Sequence, residues 1–164
     1  LCIPVIKRPS YDGAHSGQMS LPGGKWEHSD ASPWHAAIRE TREETGVLGN
    51  IEPIGALSTL YIPHSNFMVY PFVGYYPEKP LFVPDPYEVD CLVEIPLDDF
   101  FDHNKRGEFI YGGGETAFSA PCFQIDGYCI WGATAMIISE FVELLRPVIA
   151  NSLMLQYWQI EKGA

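Results

Sequence analysis

GGKWEHSDASPWHAAIRETREETGV, residues Gly23–Val47, carries a helix with both of its ends marked. Ser32-Pro33 offers a hydroxyl to cap free amides and a proline whose missing N–H is no loss in a first turn. Gly46 offers the stop, since helices commonly end on a residue in the left-handed conformation that glycine adopts without penalty. The predicted helix is Ser32–Thr45. On it Glu40, Glu43 and Glu44 stand at i, i+3 and i+4, so at about 100° per residue they share one face. Two such charges about 6 Å apart repel by roughly 3 kcal/mol at an effective dielectric of about 20. Salt water would weaken that sharply, so the spacing alone fits a solvated acidic face. The interleaved Arg39 and Arg42, and the side-chain-free Gly23-Gly24 ahead of the helix, favour a second reading. Carboxylates clustered on one rigid element suit a hard divalent cation such as Mg²⁺, which takes oxygen ligands and keeps several waters.

Upstream, Leu1–Lys7 is apolar and β-leaning, and Pro9–Gly24 reads as a long loop rich in Gly, Ser and Pro. Downstream, Ile51–Leu60, Phe67–Tyr76 and Cys91–Ile95 are short runs of β-branched and aromatic residues, hence predicted strands. Ala120–Ile125 and Tyr128–Trp131 flank Asp126-Gly127, a strong hairpin signal. Gly112-Gly113-Gly114 lacks the lysine and serine of a phosphate-binding loop and reads as a flexible connection. Ala133–Leu145 has helical periodicity, and Pro147 is expected to interrupt it. Strands around one early and one late helix predict an α+β fold.

The 164 residues fit one domain, 1–164, and 46% apolar residues suffice for a core. Ten Lys and Arg against 21 Asp and Glu give a formal charge of −11, which argues against a nucleic-acid or anionic-membrane partner. The longest apolar stretch, about Tyr128–Ile138, is far short of the roughly 20 residues of a membrane span. Cys2, Cys91, Cys122 and Cys129 show no metal or disulfide spacing, so buried reduced thiols and a cytoplasmic location are expected. The start at Leu1, within a predicted strand, suggests that the native chain has a further N-terminal segment.

Arg39-Glu40-x-x-Glu43-Glu44-x-Gly46-Val47, preceded by Gly23-Gly24-Lys25, resembles the Nudix box. The first half of the box has one extra residue, Asp30 stands where a glutamate is usual, and Thr41 replaces an apolar residue. The flanks resemble the coenzyme A pyrophosphatase branch of that family. His15–Gly24 is similar to its upstream signature, Ile130–Ala135 to its strand-to-helix junction, and Tyr87-Glu88-Val89 to its Glu-Val segment. Gly13 and Leu21 depart from the branch, which usually has arginine and phenylalanine there.

The resemblance implies an α/β/α sandwich, a mixed β-sheet between the Ser32–Thr45 and Ala133–Leu145 helices. It implies water attack on a diphosphate, here of coenzyme A or its thioesters, giving 3′,5′-ADP and a 4′-phosphopantetheine. Glu40 and Glu44 would hold Mg²⁺ or Mn²⁺, with the Gly23 carbonyl as an additional ligand. Glu43 would be a further ligand or the group that takes the water's proton, and Glu88 is a second candidate for that base. Arg39 would orient a glutamate. Gly17, Gly24 and Lys25 would contact the substrate. So would Arg8, chosen over Lys7 because a guanidinium matches phosphate bidentately; the alternative is that Arg8 ends a strand in solvent. Another nucleoside diphosphate derivative (nucleotide sugar, ADP-ribose, dinucleotide) and a non-catalytic ligand-binding module are the competing functions. The expected partner is a small-molecule nucleotide, with a homodimer allowed. His15, His28, His35, His64 and His103 have no ligand spacing and read as polar surface. Trp26, Trp34, Trp131 and Trp158 read as core or edge packing, with adenine stacking as the alternative for one near the box.

Overall fold

The computed structural model describes residues 1–9, 17–63, 65–112 and 117–162, with side chains up to residue 151. Gly13, His15, His64 and Gly113-Gly114 therefore lie outside the described residues, as does the Trp158 side chain. In chain order the elements are β1 (Cys2–Lys7), β2 (Met19–Ser20), α1 (Pro33–Thr45), β3 (Glu52–Ala56), β4 (Leu60–Ile62), β5 (Phe67–Val69), β6 (Phe72–Tyr75) and β7 (Cys91–Pro96). Two short 3₁₀ turns, Leu97–Phe100 and His103–Lys105, lead into β8 (Arg106–Tyr111), β9 (Phe118–Ile125), β10 (Tyr128–Trp131) and α2 (Gly132–Lys162). The class is α+β, as expected.

β1 is the central strand of the sheet β2-β1-β7 and pairs along its whole length with β7, from Cys2↔Pro96 to Lys7↔Cys91. Val5 and Ile6 are neighbours with side chains on opposite faces, and both are fully buried, so the sheet is covered on both sides. That is why Leu1–Lys7 reads as an apolar run and not as an alternation. A second sheet, β10-β9-β8, turns at Asp126 (φ 51°) and Gly127 (φ 82°), the positive angles a two-residue hairpin turn demands. The pairs β3–β6 and β4–β5 complete the ladders.

The main core joins Val5, Ile95, Phe123, Ile125 and Ile130 of the two larger sheets to Ala135, Ile138 and Val142 of α2. Phe100, fully buried in the first 3₁₀ turn, meets Phe123 edge-to-face at 5.1 Å between ring centres. α1 lies against a different ladder, with Trp34 edge-to-face on Phe72 of β6 at 5.7 Å. The two helices thus pack on different ladders. Among the described residues no helix is long and apolar enough to cross a membrane.

Four expectations need correction. Every ladder among the described residues is antiparallel where a mixed sheet was expected, in keeping with the direct hairpins β4–β5, β8–β9 and β9–β10. The helix does not stop at Pro147, which lies inside α2. Pro147 is exposed, so the carbonyl it leaves unpaired one turn back can be hydrated. Ile51–Leu60 and Phe67–Tyr76 are each broken in two. After β3 the Leu57 amide donates to the Pro71 carbonyl and the Ser58 amide to Glu140 of α2, which draws the chain off the ladder. Finally, β2 lies within the predicted loop, and β8 was not foreseen.

The packing of Phe100 sets an expectation. Phe100→Ala should lower unfolding stability by about 3–5 kcal/mol in urea titrations, because the emptied site is walled by two sheets and cannot collapse freely.

Candidate active site

The ends of α1 behave as the sequence indicates, and they set which glutamate faces where. Ser32, in extended geometry, accepts from the His35 amide, and its hydroxyl also meets His35 Nδ1 at 2.8 Å. Gly46 has φ 66° and donates its amide to the Arg42 carbonyl. A Cβ at Gly46 would run into the backbone of Val83, so close approach as well as conformation calls for glycine. That neighbouring segment satisfies the last carbonyls of the helix: Val83 N–H donates to Thr45 (2.9 Å) and Asp85 N–H to Glu44 (3.2 Å). With this phase fixed, Ala36, Glu44 and Thr45 face inward. Glu40 is largely covered (17% exposed) and Glu43 is open (54%).

Arg39 organises the site. Its Nε and one terminal nitrogen donate to the two carboxyl oxygens of Asp30, both at 3.0 Å. The other terminal nitrogen donates to Glu40 (2.9 Å) and Glu43 (2.8 Å), and the remaining N–H reaches the Lys25 carbonyl at 2.9 Å. All five N–H groups of the guanidinium are engaged. The charge of Arg39 and the Glu27 amide hold the Asp30 carboxyl below its ordinary range, and Asp30 in turn raises Arg39 further. Arg39, expected to orient a glutamate, thus contacts both Glu40 and Glu43.

Glu44 is the buried member, 3% exposed, and accepts from the Gly23 amide at 2.8 Å. Burial pushes its carboxyl from 4.5 up to about 7. The Gly23 amide and the charge of Arg8 pull it back, whereas Glu40 and Glu88 push it higher. The Gly23 amide touches Glu44 directly, whereas Arg8, Glu40 and Glu88 act on it through their charge. Gly24 crosses directly over Glu40: a Cβ there would fall inside the Glu40 carboxylate. Arg8 directly follows β1, is half-buried, and donates its amide to the Gln18 carbonyl. Glu88 is exposed in the turn after Asp85, and its amide donates to the Asp85 carbonyl. Gly17 has φ 64° and donates to the Pro9 carbonyl. Lys25 is exposed, its ammonium 5.4 Å from the centre of the Phe67 ring. No group of three or more His, Cys, Asp or Glu side chains is gathered as a metal cluster among the described residues.

Sequence reasoning missed the role of Asp30, the main partner of Arg39. Its signal was present, since Asp30 occupies the box position where a glutamate is usual. Residues 83–85, which hold the end of α1, left no comparable signal. Of the tryptophans, Trp34 packs as expected and Trp131 stacks on Phe109 at 4.4 Å, but Trp26 is 63% exposed and does not pack in a core. His28, His35 and His103 are exposed, as expected. Cys122 is buried, but Cys2 is exposed, against the expectation of buried thiols throughout.

The environment of Glu44 has a measurable consequence. Between pH 4.5 and about 7 the native state keeps a proton that the unfolded chain releases, so folding stability falls as pH rises through this window. Glu44→Gln removes that penalty and preserves an acceptor for Gly23. In buffer stripped of divalent cations it should melt several degrees above the unsubstituted protein at pH 8, and the two should converge at pH 5.

The description NUDIX domain belongs to the family model that matches residues 3–111. The human mitochondrial coenzyme A diphosphatase NUDT8 is 33% identical over 87% of this chain and 62% of its own length. The chloroplastic Nudix hydrolase 22 of Arabidopsis thaliana is 33% identical over 84% of the chain and 48% of its length. The uncharacterized Nudix hydrolase NudL of Pectobacterium atrosepticum is 31% identical over 77% of the chain and 66% of its length. The chain thus spans between about half and two thirds of these relatives. With Arg39, Glu40, Glu43 and Glu44 set on one helix beneath Gly23-Gly24, and with the family model matched over more than half its length, the chain belongs to the NUDIX domain family.

Proposed function

We propose that the protein is a Nudix pyrophosphohydrolase that cleaves the diphosphate of coenzyme A or its thioesters with the help of Mg²⁺ or Mn²⁺. The observation that carries the reading is the Glu44 carboxylate, buried under the Gly23 amide one helical turn from Glu40. A carboxylate in that setting gains most from a cation, and Glu40 beside it has the hard oxygens a divalent ion takes. Glu40, Glu44 and the Gly23 carbonyl would hold the ion, with Glu43 as a further ligand where Glu88 is the base. When bound, it neutralises diphosphate charge and acidifies a coordinated water.

The chain's own groups do the rest. Arg39 fixes Glu40 and Glu43, so neither has to be ordered during the reaction. Glu43, the open carboxylate, or Glu88 accepts the proton of the attacking water. That water's oxygen bonds to one phosphorus as the bridging P–O bond breaks, leaving 3′,5′-ADP and 4′-phosphopantetheine. Arg8 and Lys25 are the cations offered to the substrate, with Gly17 and Gly24 giving its backbone room. The human relative's name supports coenzyme A as substrate. Leu21 packs against the main core, so its exchange for the branch's phenylalanine bears on packing before it bears on recognition. The four unpaired thiols support a cytoplasmic placement.

Two experiments test this. With Mg²⁺, coenzyme A should give the highest kcat/KM in a panel with ADP-ribose, NADH and diadenosine polyphosphates. Coenzyme A should also exceed its 3′-dephosphorylated form, and Arg8→Ala should lose most of that margin. Equal treatment of the two forms by the unsubstituted protein would return the reading to a generic nucleoside diphosphate hydrolase. Separately, Glu44→Gln should lower turnover at least about a hundredfold at saturating Mg²⁺, roughly 2.7 kcal/mol of transition-state stabilisation. Activity within about threefold would show that the acidic face is merely solvated.

A further inference from the structure

Beside the Arg39 network lies a cleft of about 300 Å³ lined by Trp26, Glu27, His28 and Asp30. Its wall is an indole 63% exposed to solvent, although burying so large an apolar side chain would contribute strongly to stability. Trp26 is nevertheless held in place. Its ring N–H donates to the Asp30 carbonyl at 3.2 Å, so its polar edge is satisfied within the loop. The loop is closed by the Glu27 amide on the Asp30 carboxylate (2.9 Å) and the Asp30 amide on the Glu27 carbonyl (3.0 Å). Arg39 grips the same Asp30 and, through the Lys25 carbonyl, the residue preceding Trp26. One guanidinium therefore ties this indole to Glu40 and Glu43. Its position relative to the reacting groups is set before any ligand arrives.

We propose that Trp26 is the stacking platform for the purine base of the substrate, with the exposed Glu27 carboxylate placed to accept from an exocyclic amine. This rests on the reading of the substrate as an adenine nucleotide. The cleft is at the small end of ligand pockets, which suits one ring system and not a whole coenzyme. A fixed aromatic face gains from stacking without losing side-chain freedom on binding. The cleft lies on the box loop, on the Asp30 side of Arg39, while the glutamates take the other side of the same guanidinium.

Trp26→Ala and Trp26→Phe separate stacking from a merely structural role. Trp26→Ala should raise the KM for coenzyme A about tenfold or more, the order of a lost base stack, with kcat changed less than about threefold. Trp26→Phe, which keeps a flat face, should stay within about threefold of the original KM. Adenosine 3′,5′-bisphosphate should quench tryptophan fluorescence in the unsubstituted protein and much less in Trp26→Phe. 4′-Phosphopantetheine, which has no base, should inhibit the unsubstituted protein and Trp26→Ala equally. An active protein whose KM moves less than about twofold in Trp26→Ala overturns the platform and leaves the hydrolase reading standing. A protein inactive on coenzyme A that still shows the Trp26-dependent quenching overturns the substrate reading and leaves the platform standing. Quenching by tetramethylammonium but not by the adenine nucleotide would identify a cation site and overturn the base assignment.

Discussion

Three of the five hydrogen bonds from one guanidinium hold the box loop to the helix, and the other two hold carboxylates of the helix itself. Arg39 meets both oxygens of Asp30, one oxygen each of Glu40 and Glu43, and the carbonyl of Lys25. No ammonium can replace it, because three donors on a flexible stem cannot reach four partners spread around a plane. The like-charge repulsion that makes three glutamates on one face expensive is offset here, for two of them, by a shared cation. Asp30 neutralises much of that cation in turn, so Glu40 and Glu43 are oriented more than they are neutralised. A loop that would otherwise cost ordering entropy when a ligand arrives is already fixed.

Glu44 stands outside this network, and its burial is what makes the face more than a solvated acidic stripe. The helix ends decide that burial. Ser32 and Gly46 set the phase of α1, residues 83–85 satisfy its last carbonyls, and Glu44 then faces inward beneath the Gly23 amide. A single amide donor does not compensate for loss of water around a carboxylate, which is why its proton affinity rises. Such a group is a local cost to folding, tolerated at sites where binding recovers it.

What the sequence made legible was local chemistry. Ser32-Pro33, Gly46 and Asp126-Gly127 act within four residues of themselves, and each does in the structure what its side chain or its freedom of φ permits. What stayed hidden depended on partners far along the chain. β2 is two residues long and exists because Ile6 and Lys7 present an edge to Ser20 and Met19. β8 includes Gly107, where a Cβ would strike the Gln124 side chain, and its strand character comes from β9 beside it. Pro147 reads as a helix break, but an exposed proline in a long helix forfeits one hydrogen bond and the helix continues. Within the site, the three glutamates were legible from spacing and Arg39 from its place among them. The pairing with Asp30 needed the loop to fold back over nine residues.

The charge distribution joins these observations. A chain of formal charge −11 repels an anionic nucleotide at a distance, and the site itself is acidic: Asp30, Glu40, Glu43, Glu44 and Glu88 against Arg8, Lys25 and Arg39. Arg39 is fully engaged by protein acceptors and has no N–H left for a phosphate. On the proposed reading, that leaves Arg8, whose charge acts on Glu44, and the exposed Lys25 to meet a diphosphate. Three monovalent cations against five carboxylates do not create an attractive field for a polyanion. A divalent ion on Glu40 and Glu44 would invert the local sign and relieve the strained ionisation of Glu44 in the same step. On the proposed reading, the acidic excess that disfavours the substrate alone would make its binding depend on the cation.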